Sequence, residues 1–598
     1  MPVKSPTDIE DTTLLYSILV NGSPIKDYYP VLTVEIVHEV NKISYAEITL
    51  VDGDEEKSSF PISDSNDLIP GNDIEIEAGY SGVDQKTIFK GIIVKQGLQL
   101  NSDGYVLTVT AKHKAVGMTF TRAEEEFKNK TDSSIMQSIL SKYGIGCKVT
   151  STESQQEALF QKLATDWDLV LSRAEFCGFI ITMDDDQLTI GKPTFSGQAV
   201  LRIAFGDSLQ SFQAELSSEK QASGIQASAW DIKNQDLLKS TASEPSLNQQ
   251  GNITAKTMAG KLPLPQTLCL NSITPMSADD LKTWADGSLL RMRMSGLSGR
   301  VSFQGNGDIK TGKLIELDGV GSRYNGNAFV TGVTHSLERG KWTTKVKFGL
   351  EQQAVYEKKG FSYSAATGQL PGIRGLQVAT VQKLFEDPQG QDRIFIQLPS
   401  NAQNPDGLWA RLSNFHATSG AGAGFIPEVG DEVVVGFLES DPRYPIILGS
   451  LYSNGRAPLN TPADNNNYIK TITTKSKLKI SFDDEKKILL IQTPGGNSIT
   501  LSDEGKSIEL KDQNSNTVTL GSGGISLNSA SDIQLEAKGN ISLKATGKLS
   551  LSAQQDVDVS GMNISQSAQA GFTAKGNASA ELSASGQTVV KGAMVMIN

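Results

Sequence analysis

The sequence predicts a mainly β protein built in three successive parts, and three observations predict it. Strand patterns between turn signals dominate the first 360 residues, five more crowd into about Ile373 to Tyr452, and an eight-residue apolar rhythm runs through the C-terminal stretch. A domain takes roughly 100–200 residues, so a chain of 598 cannot be built on one core. Apolar residues are 38% and charged residues 20% of the total, which excludes a membrane bundle and a wholly disordered chain. Glycine, at 56 residues against 21 prolines, points to many tight turns.

Residues 1–360 read as two β-barrel lobes with helical insertions. Strand patterns fall at Tyr29 to Val40, Ala46 to Val51, Asp73 to Tyr80, Thr87 to Leu98 and Tyr105 to Ala111. They resume at Arg300 to Phe303, Leu314 to Leu317, Ala328 to Leu337 and Trp342 to Leu350. One helix is expected near Ser133 to Tyr143. A second is expected over about Glu157 to Glu175, where Leu159, Leu163, Trp167 and Leu171 form a stripe. A third should start after Ser277, an N-cap candidate followed by Leu281, Trp284 and Leu289. A Ser/Gly/Lys-rich linker, 361–372, closes this part.

The segment 373–455 reads as a small barrel. Its strands are Leu376 to Leu384, Arg393 to Leu398, Leu408 to Leu412, Glu432 to Leu438 and Pro445 to Leu451. Turn signals at Asp387-Pro388-Gln389-Gly390 and Asn404-Pro405-Asp406-Gly407 separate them. Five strands in so short a span fit an OB-fold barrel. Such barrels often bind nucleic acid, but five basic residues face nine acidic ones here, and the whole chain carries a net charge of -12. Nucleic acid is not an expected partner.

After a linker at 456–469, residues 470–598 hold almost no large side chains; the only aromatics after Pro462 are Tyr468, Phe482 and Phe572. Apolar pairs recur every eight residues: Ile525 with Leu527, Ile533 with Leu535, Ile541 with Leu543, Leu549 with Leu551, and Val557 with Val559. Gly524, Gly539, Gly547 and Gly561 fall in the gaps, where corners need a compact residue. The rhythm is looser upstream, at Ile499/Leu501, Ile508/Leu510 and Val518/Leu520, and continues downstream through Ile564, Phe572, Leu582 and Val589. One short strand per octad leaves unpaired edges along a single chain. Three chains wound together remove them and bury the five pairs as a needle core. A triple-stranded β-helix needle in a homotrimer is therefore expected. About 16 strands at ~4.8 Å would make it roughly 75–80 Å long.

The run Gly424 to Tyr452 resembles the phage hub–spike family and its relatives, the VgrG spikes of type VI secretion systems. The residues that carry this are Pro427, Gly430, Glu432, Val433, Phe437, Asp441, Pro442, Pro445, Gly449 and Tyr452, with Trp409 and Arg411 in the strand before. Leu169 to Phe179 and Val330 to Leu337 resemble the family's hub helix and strand. The resemblance implies a phage-hub-like domain, then the barrel, then the needle. It further implies a trimeric membrane-puncturing spike on an Hcp-type tube, with baseplate and sheath components, effector proteins and a transient target membrane as partners. A type VI spike, a phage tail hub and an extracellular contractile injection particle are not separated by the chain. A tail-fibre enzyme or carbohydrate-binding protein on a β-solenoid is the other class considered.

No constellation for catalysis or metal binding emerges. His38, His113, His335 and His416 lack metal spacing with one another or with Cys147, Cys177 and Cys269. No nucleophile elbow occurs. Gly307 to Leu314 imitates a phosphate loop up to its lysine, but Leu314 stands where Mg²⁺ needs Ser or Thr. Asp184-Asp185-Asp186 reads as a hairpin tip. No enzyme, cofactor or metal is expected. Met1 to Thr13 lacks a signal-peptide plan and no stretch spans a bilayer, so a cytoplasmic protein exported only by the injection machine is expected.

The chain ends in an apolar run, 592–598. Met594, Val595, Met596 and Ile597 either close the trimer themselves, with Val595 and Ile597 inward, or form the plateau that a PAAR-type cone protein caps.

Overall fold

The computed structural model describes the chain except residues 1–2, 10, 103, 186, 232–233, 235, 249, 262–266, 273–274, 352, 355–356, 358–371, 400–406, 463 and 598. Most of the expected linker 361–372, the turn residues Asn404, Pro405 and Asp406, the third aspartate Asp186 and the terminal Asn598 therefore lie outside the described residues. The chain divides into two compact units, Met1–Leu451 and Tyr452–Asn598.

In the first unit the strands of both lobes join one sheet of 13 strands. Strand Val31–Glu39 from the first lobe pairs antiparallel with Gly326–Glu338 from the second, with His38 opposite Val333 and Val34 opposite Leu337. Two separate cores sit along this sheet. Ile36, Ile48, Leu50, Ile76 and Leu107 fill the first, and Val301, Phe303, Ile315, Val330 and Phe348 the second. Alternating burial along Val31–Glu39 and Lys341–Phe348 gives each strand one face for its core.

Two of the expected helices form at their expected places, each with a side-chain cap. Asp132–Lys142 is capped by Thr131, whose hydroxyl accepts from the Ser134 amide. Ala278–Met294 is capped by Ser277, which accepts from the Asp280 amide. The middle one differs. The helix expected over 157–175 starts only at Asp166 and runs to Phe176, because Gln155–Thr165 is a strand paired with Arg122–Thr131. Leu159 faces Phe127 across that pair, and Leu163 takes φ +49° at a bulge. Helical spacing of four apolar residues cannot reveal a strand partner thirty residues away. Arg173 clamps the two helices by a bidentate pair to buried Asp132, at 2.6 and 2.8 Å.

The barrel closes in the order Gln377–Lys383, Ile394–Gln397, Leu408–Leu412, Pro445–Leu451, Glu432–Phe437. Ala379, Val381, Ile396, Ala410, Val433, Val435 and Ile447 fill it. The first turn is held by Asp387, which accepts from the Gln389, Gln391 and Arg393 amides and takes the Arg393 guanidinium at 2.5 Å. The guanidinium first, and then the amides, hold its carboxyl well below the usual carboxylate range.

The second unit opens with a seven-stranded antiparallel meander, from Ile469–Thr473 to Gly524–Asn528. This corrects one expectation. The upstream pairs Ile499/Leu501, Ile508/Leu510 and Val518/Leu520 find strand partners within their own chain. Strand starts there are mostly nine or ten residues apart, which leaves room for a five-residue strand and a reversing turn. Eight residues leave less. Beyond Asn528 the chain is extended, with bends at 530–531, 538–539, 546–547, 554–555, 562, 569–570, 577–578, 585–586 and 593–594. Corners thus recur every eight residues, apart from the irregular step at 562. No strand partner exists within the chain there among the described residues.

The residues expected to form the needle core are left uncovered by one chain. In the single chain none of these ten residues is buried. Ile525, Leu527, Ile533, Leu535 and Ile541 are all more than half exposed. So are Leu543, Leu549, Leu551, Val557 and Val559, with Leu535 at 67% and Val559 at 64%. The physical reason is the octad itself. A chain that advances one short extended segment per corner brings no second layer of its own over these side chains, so one copy alone builds no core.

Candidate assembly surfaces

The meander register sorts its side chains onto two faces. Directly paired residues share a face, so Ile472, Ile480, Ile491, Ile499, Leu510, Val518 and Leu527 form one unbroken column. Beside it run Phe482, Leu489, Leu501, Ile508, Leu520 and Ile525. The opposite face carries Thr471, Ser481, Thr500, Glu509, Thr519 and Ser526, with Leu490 in the same column and Ile469 and Ile488 beside it. An apolar face two columns wide is thus left open by its own chain. It lines a hollow of about 620 Å³ with Ile491, Ile499, Leu510, Val518 and Leu527, which continues to Ile533.

The octads show the same want of a partner. Ile533 and Leu535, Ile541 and Leu543, Leu549 and Leu551, and Val557 and Val559 each follow a corner at the same offset. Each pair therefore returns to the same side of the chain, exposed there as described above. Counting from the corners beyond 562 puts Ile564, Phe572 and Leu582 in the same phases. Val590 holds the phase where the sequence pointed to Val589. At the end, Met594, Met596 and Ile597 are almost fully exposed, and Val595 is half-exposed.

The barrel motif residues act mostly as scaffold. Trp409 packs on Phe395 with ring centres 5.1 Å apart, while Arg411 points to solvent. Pro427 and Pro445 are buried, and Gly430 sits at φ +85°, where a side chain would be strained. Asp441 is buried and takes the Arg443 guanidinium at 2.7 Å, which lowers its pKa; Glu439 and Ser440 before it take positive φ. Glu432, Val433, Phe437 and Gly449 belong to the Glu432–Phe437 and Pro445–Leu451 pair, flanked by Pro442 and by Tyr452, which is exposed.

One set of outward barrel residues escaped the sequence reading. Val378 lies opposite Val434, and Leu376 and Leu448 close over Gly436 at 3.7 and 3.6 Å from where its Cβ would stand. A signal existed: Val433-Val434-Val435 and Ile446-Ile447-Leu448 are continuous apolar runs, the pattern of strands covered on both faces.

The hub histidines are built into packing. His38 donates from Nε2 to the Ile88 carbonyl at 2.8 Å, and its Nδ1 meets the Ser44 hydroxyl at 2.9 Å. His113 donates from Nε2 to the Asp185 carbonyl and accepts from the Ala115 amide. His416 is exposed. Lys310, the residue of the phosphate-loop imitation, pairs with Asp184 and, at 3.5 Å, with Asp185 at the tip of the hairpin formed by Ile180–Asp184 and Gln187–Gly191. A strand, not a helix, follows that loop. Among the described residues no three His, Cys, Asp or Glu side chains group to hold a metal, and no helix is long and apolar enough to cross a membrane.

These surfaces coincide with known family segments. A model described as the type VI secretion system/phage-baseplate injector OB domain matches residues 377–452. The phage baseplate V C-terminal trimerisation domain matches 487–547, which holds most of the open apolar face and the first octads. The Alg8 N-terminal domain matches 10–339, more than half of the chain. The chain belongs to the Alg8 N-terminal domain family and is a VgrG-type spike. Over 106 residues this spike is 33% identical to the type VI secretion system spike protein VgrG1b of Pseudomonas aeruginosa, covering 16% of this chain and 14% of that protein. It is 36% identical over 97 residues to the actin cross-linking toxin VgrG1 of Vibrio cholerae, covering 15% of this chain and 9% of that protein. The spike therefore spans less than a sixth of the length of either curated relative in these matches. Among solved structures, the 43 kDa tail protein of prophage MuSo2 from Shewanella oneidensis aligns at TM-score 0.44 and 10% identity, covering 57% of this chain and 99% of that one.

Proposed function

We propose that three copies of this chain form the membrane-puncturing spike of a contractile injection machine. The observation that carries the reading is the open two-column apolar face, continued by octads with no partner of their own, within a segment matched by a trimerisation domain. Burying a Leu or Ile side chain contributes roughly 1.5–3 kcal/mol, so a face of thirteen apolar residues left in water is a strong drive to associate. A three-fold bundle buries it while completing the strand edges of the octads. The same bundle would cover Ile525, Leu527, Ile533, Leu535, Ile541, Leu543, Leu549, Leu551, Val557 and Val559, which one chain leaves in water.

Division into a hub at 1–360, a barrel at 373–455 and a needle at 470–598 goes with this reading, joined by linkers at 361–372 and 456–469. An Hcp-type tube beneath the hub, a PAAR-type cone at 592–598 and effector cargo belong to the same proposal, as does a purely mechanical, non-enzymatic role. The curated relatives named as spike proteins support it. Export through the injection machine, from a cytoplasmic pool, completes it. Light scattering of the purified protein tests the assembly, with about three times 64.1 kDa expected. A stable, monodisperse single chain would overturn it.

A further inference from the structure

The barrel presents two apolar features that nothing among the described residues covers. The first is the exterior patch of Leu376, Val378, Val434 and Leu448 around Gly436; Leu376 and Leu448 are 65% and 51% exposed. The outside of a small barrel is normally polar, because its apolar residues point inward. The second is a hairpin arm between strands Leu408–Leu412 and Glu432–Phe437, with Ala417 opposite Gly422 and Thr418 opposite Ala421. Its tip is small, Ser419-Gly420, while its base carries Phe415, Phe425 and Ile426, at 89%, 61% and 61% exposure. A phenylalanine held in water at the base of a hairpin forfeits the burial that makes it useful.

We propose that the arm of one copy docks on the exterior patch of the next, Phe415 and Phe425 covering Leu376 and Leu448, so that three barrels close into a ring. This rests on the trimeric reading above. The patch and the arm are different surfaces, so the contact is head-to-tail, and with three copies a three-fold axis closes it without leaving an open end. The barrel leads into the meander through 17 residues, 452–468, and three barrels so tethered meet at high effective concentration. Both surfaces are apolar, and Gly436, lacking a side chain, lets Leu376 and Leu448 close over it into one patch. Without a second copy each feature is incomplete.

The test places a photo-crosslinking amino acid at Phe415 in the full-length chain, prepared as a mixture of ¹⁴N and ¹⁵N copies. Light scattering is recorded first. A single-chain mass overturns the trimer and the ring together. With a trimeric mass, the expected result is a cross-link joining differently labelled copies, from 415 to peptides holding Leu376 or Leu448. Replacing Leu448 by Asp should abolish that cross-link while the trimeric mass persists. Cross-links confined to one copy, or none between 415 and the patch in an intact trimer, overturn the ring and leave the trimer standing. Cross-linking at 415 only to an added partner, such as tube-ring protein, also overturns it.

Discussion

Trp342 donates its indole N–H to Nδ1 of His335 across 3.3 Å, beneath the joint between the two hub lobes. The same nitrogen meets the Thr344 hydroxyl at 3.1 Å, so the imidazole acts there as an acceptor. Protonating Nδ1 would set it against the Trp342 indole N–H, an obligate donor. Burial pushes the His335 pKa down to about 3. The neighbouring His38 is pushed down too, chiefly by burial.

Hub stability should therefore fall with acidification. An unfolded histidine takes its proton near pH 6.5, whereas the folded one stays neutral down to about 3. Below pH ~6.5 the unfolded state binds more protons, so stability contributed by His335 is present at neutral pH. It is lost by about 1.4 kcal/mol per pH unit as pH falls towards the folded value. Urea midpoints at pH 7.5 and 5 should show a steeper loss in the wild type than in His335→Gln. Equal slopes would mean that His335 is not buried neutral.

Gly305 approaches Trp342 so closely that an added Cβ would stand 2.1 Å from the indole, while its amide donates to the Trp342 carbonyl at 2.8 Å. Neither backbone nor ring can yield cheaply. Gly305→Ala should lower hub stability by about 1–3 kcal/mol, the usual cost of overpacking. Thermal unfolding checks it; an unchanged midpoint would show that the ring moves freely.

Leu543→Asp and Leu551→Asp should impair trimer formation or heat and detergent resistance, because three carboxylates would meet near one axis with desolvation costing several kcal/mol each. Ser542→Asp and Ser550→Asp should do little. Gel mobility of unboiled samples separates the two classes. Identical behaviour would refute the assignment of Leu543 and Leu551 to the inside.

Deleting residues 594–598 should leave the trimeric mass unchanged and remove binding of a PAAR-type cone protein. Undiminished pull-down of that partner by the shortened spike would show that Met594, Val595, Met596 and Ile597 do not dock it. Loss of the trimer itself would favour the alternative in which Val595 and Ile597 close the bundle.

Local pattern alone determined the octads, the barrel strands, the helix near Ser133 and the helix capped by Ser277, because each signal lies within a few residues. An eight-residue repeat places a corner every eight residues, and the bends at 530–594 follow it apart from the step at 562. Tertiary structure decided what depends on a partner far along the chain. Gln155–Thr165 became a strand because Arg122–Thr131 offers it an edge, although its leucines are spaced as on a helix. Ile499, Leu510 and Val518 share a face only because the nine-to-ten-residue strand spacing lets the chain fold back on itself in register. Leu535 and Val559 keep their octad phase yet stay exposed, because phase along one chain supplies no surface to pack against. His335 and Trp342 are seven residues apart in sequence, and their hydrogen bond follows from the antiparallel register of Gly326–Glu338 against Lys341–Phe348. The patch at Leu376, Val378 and Leu448 required knowing which side of each strand faces the barrel core, since Val433-Val434-Val435 is apolar on both. Periodicity specifies a residue's place along its element, and only the packing of elements specifies what lies across from it.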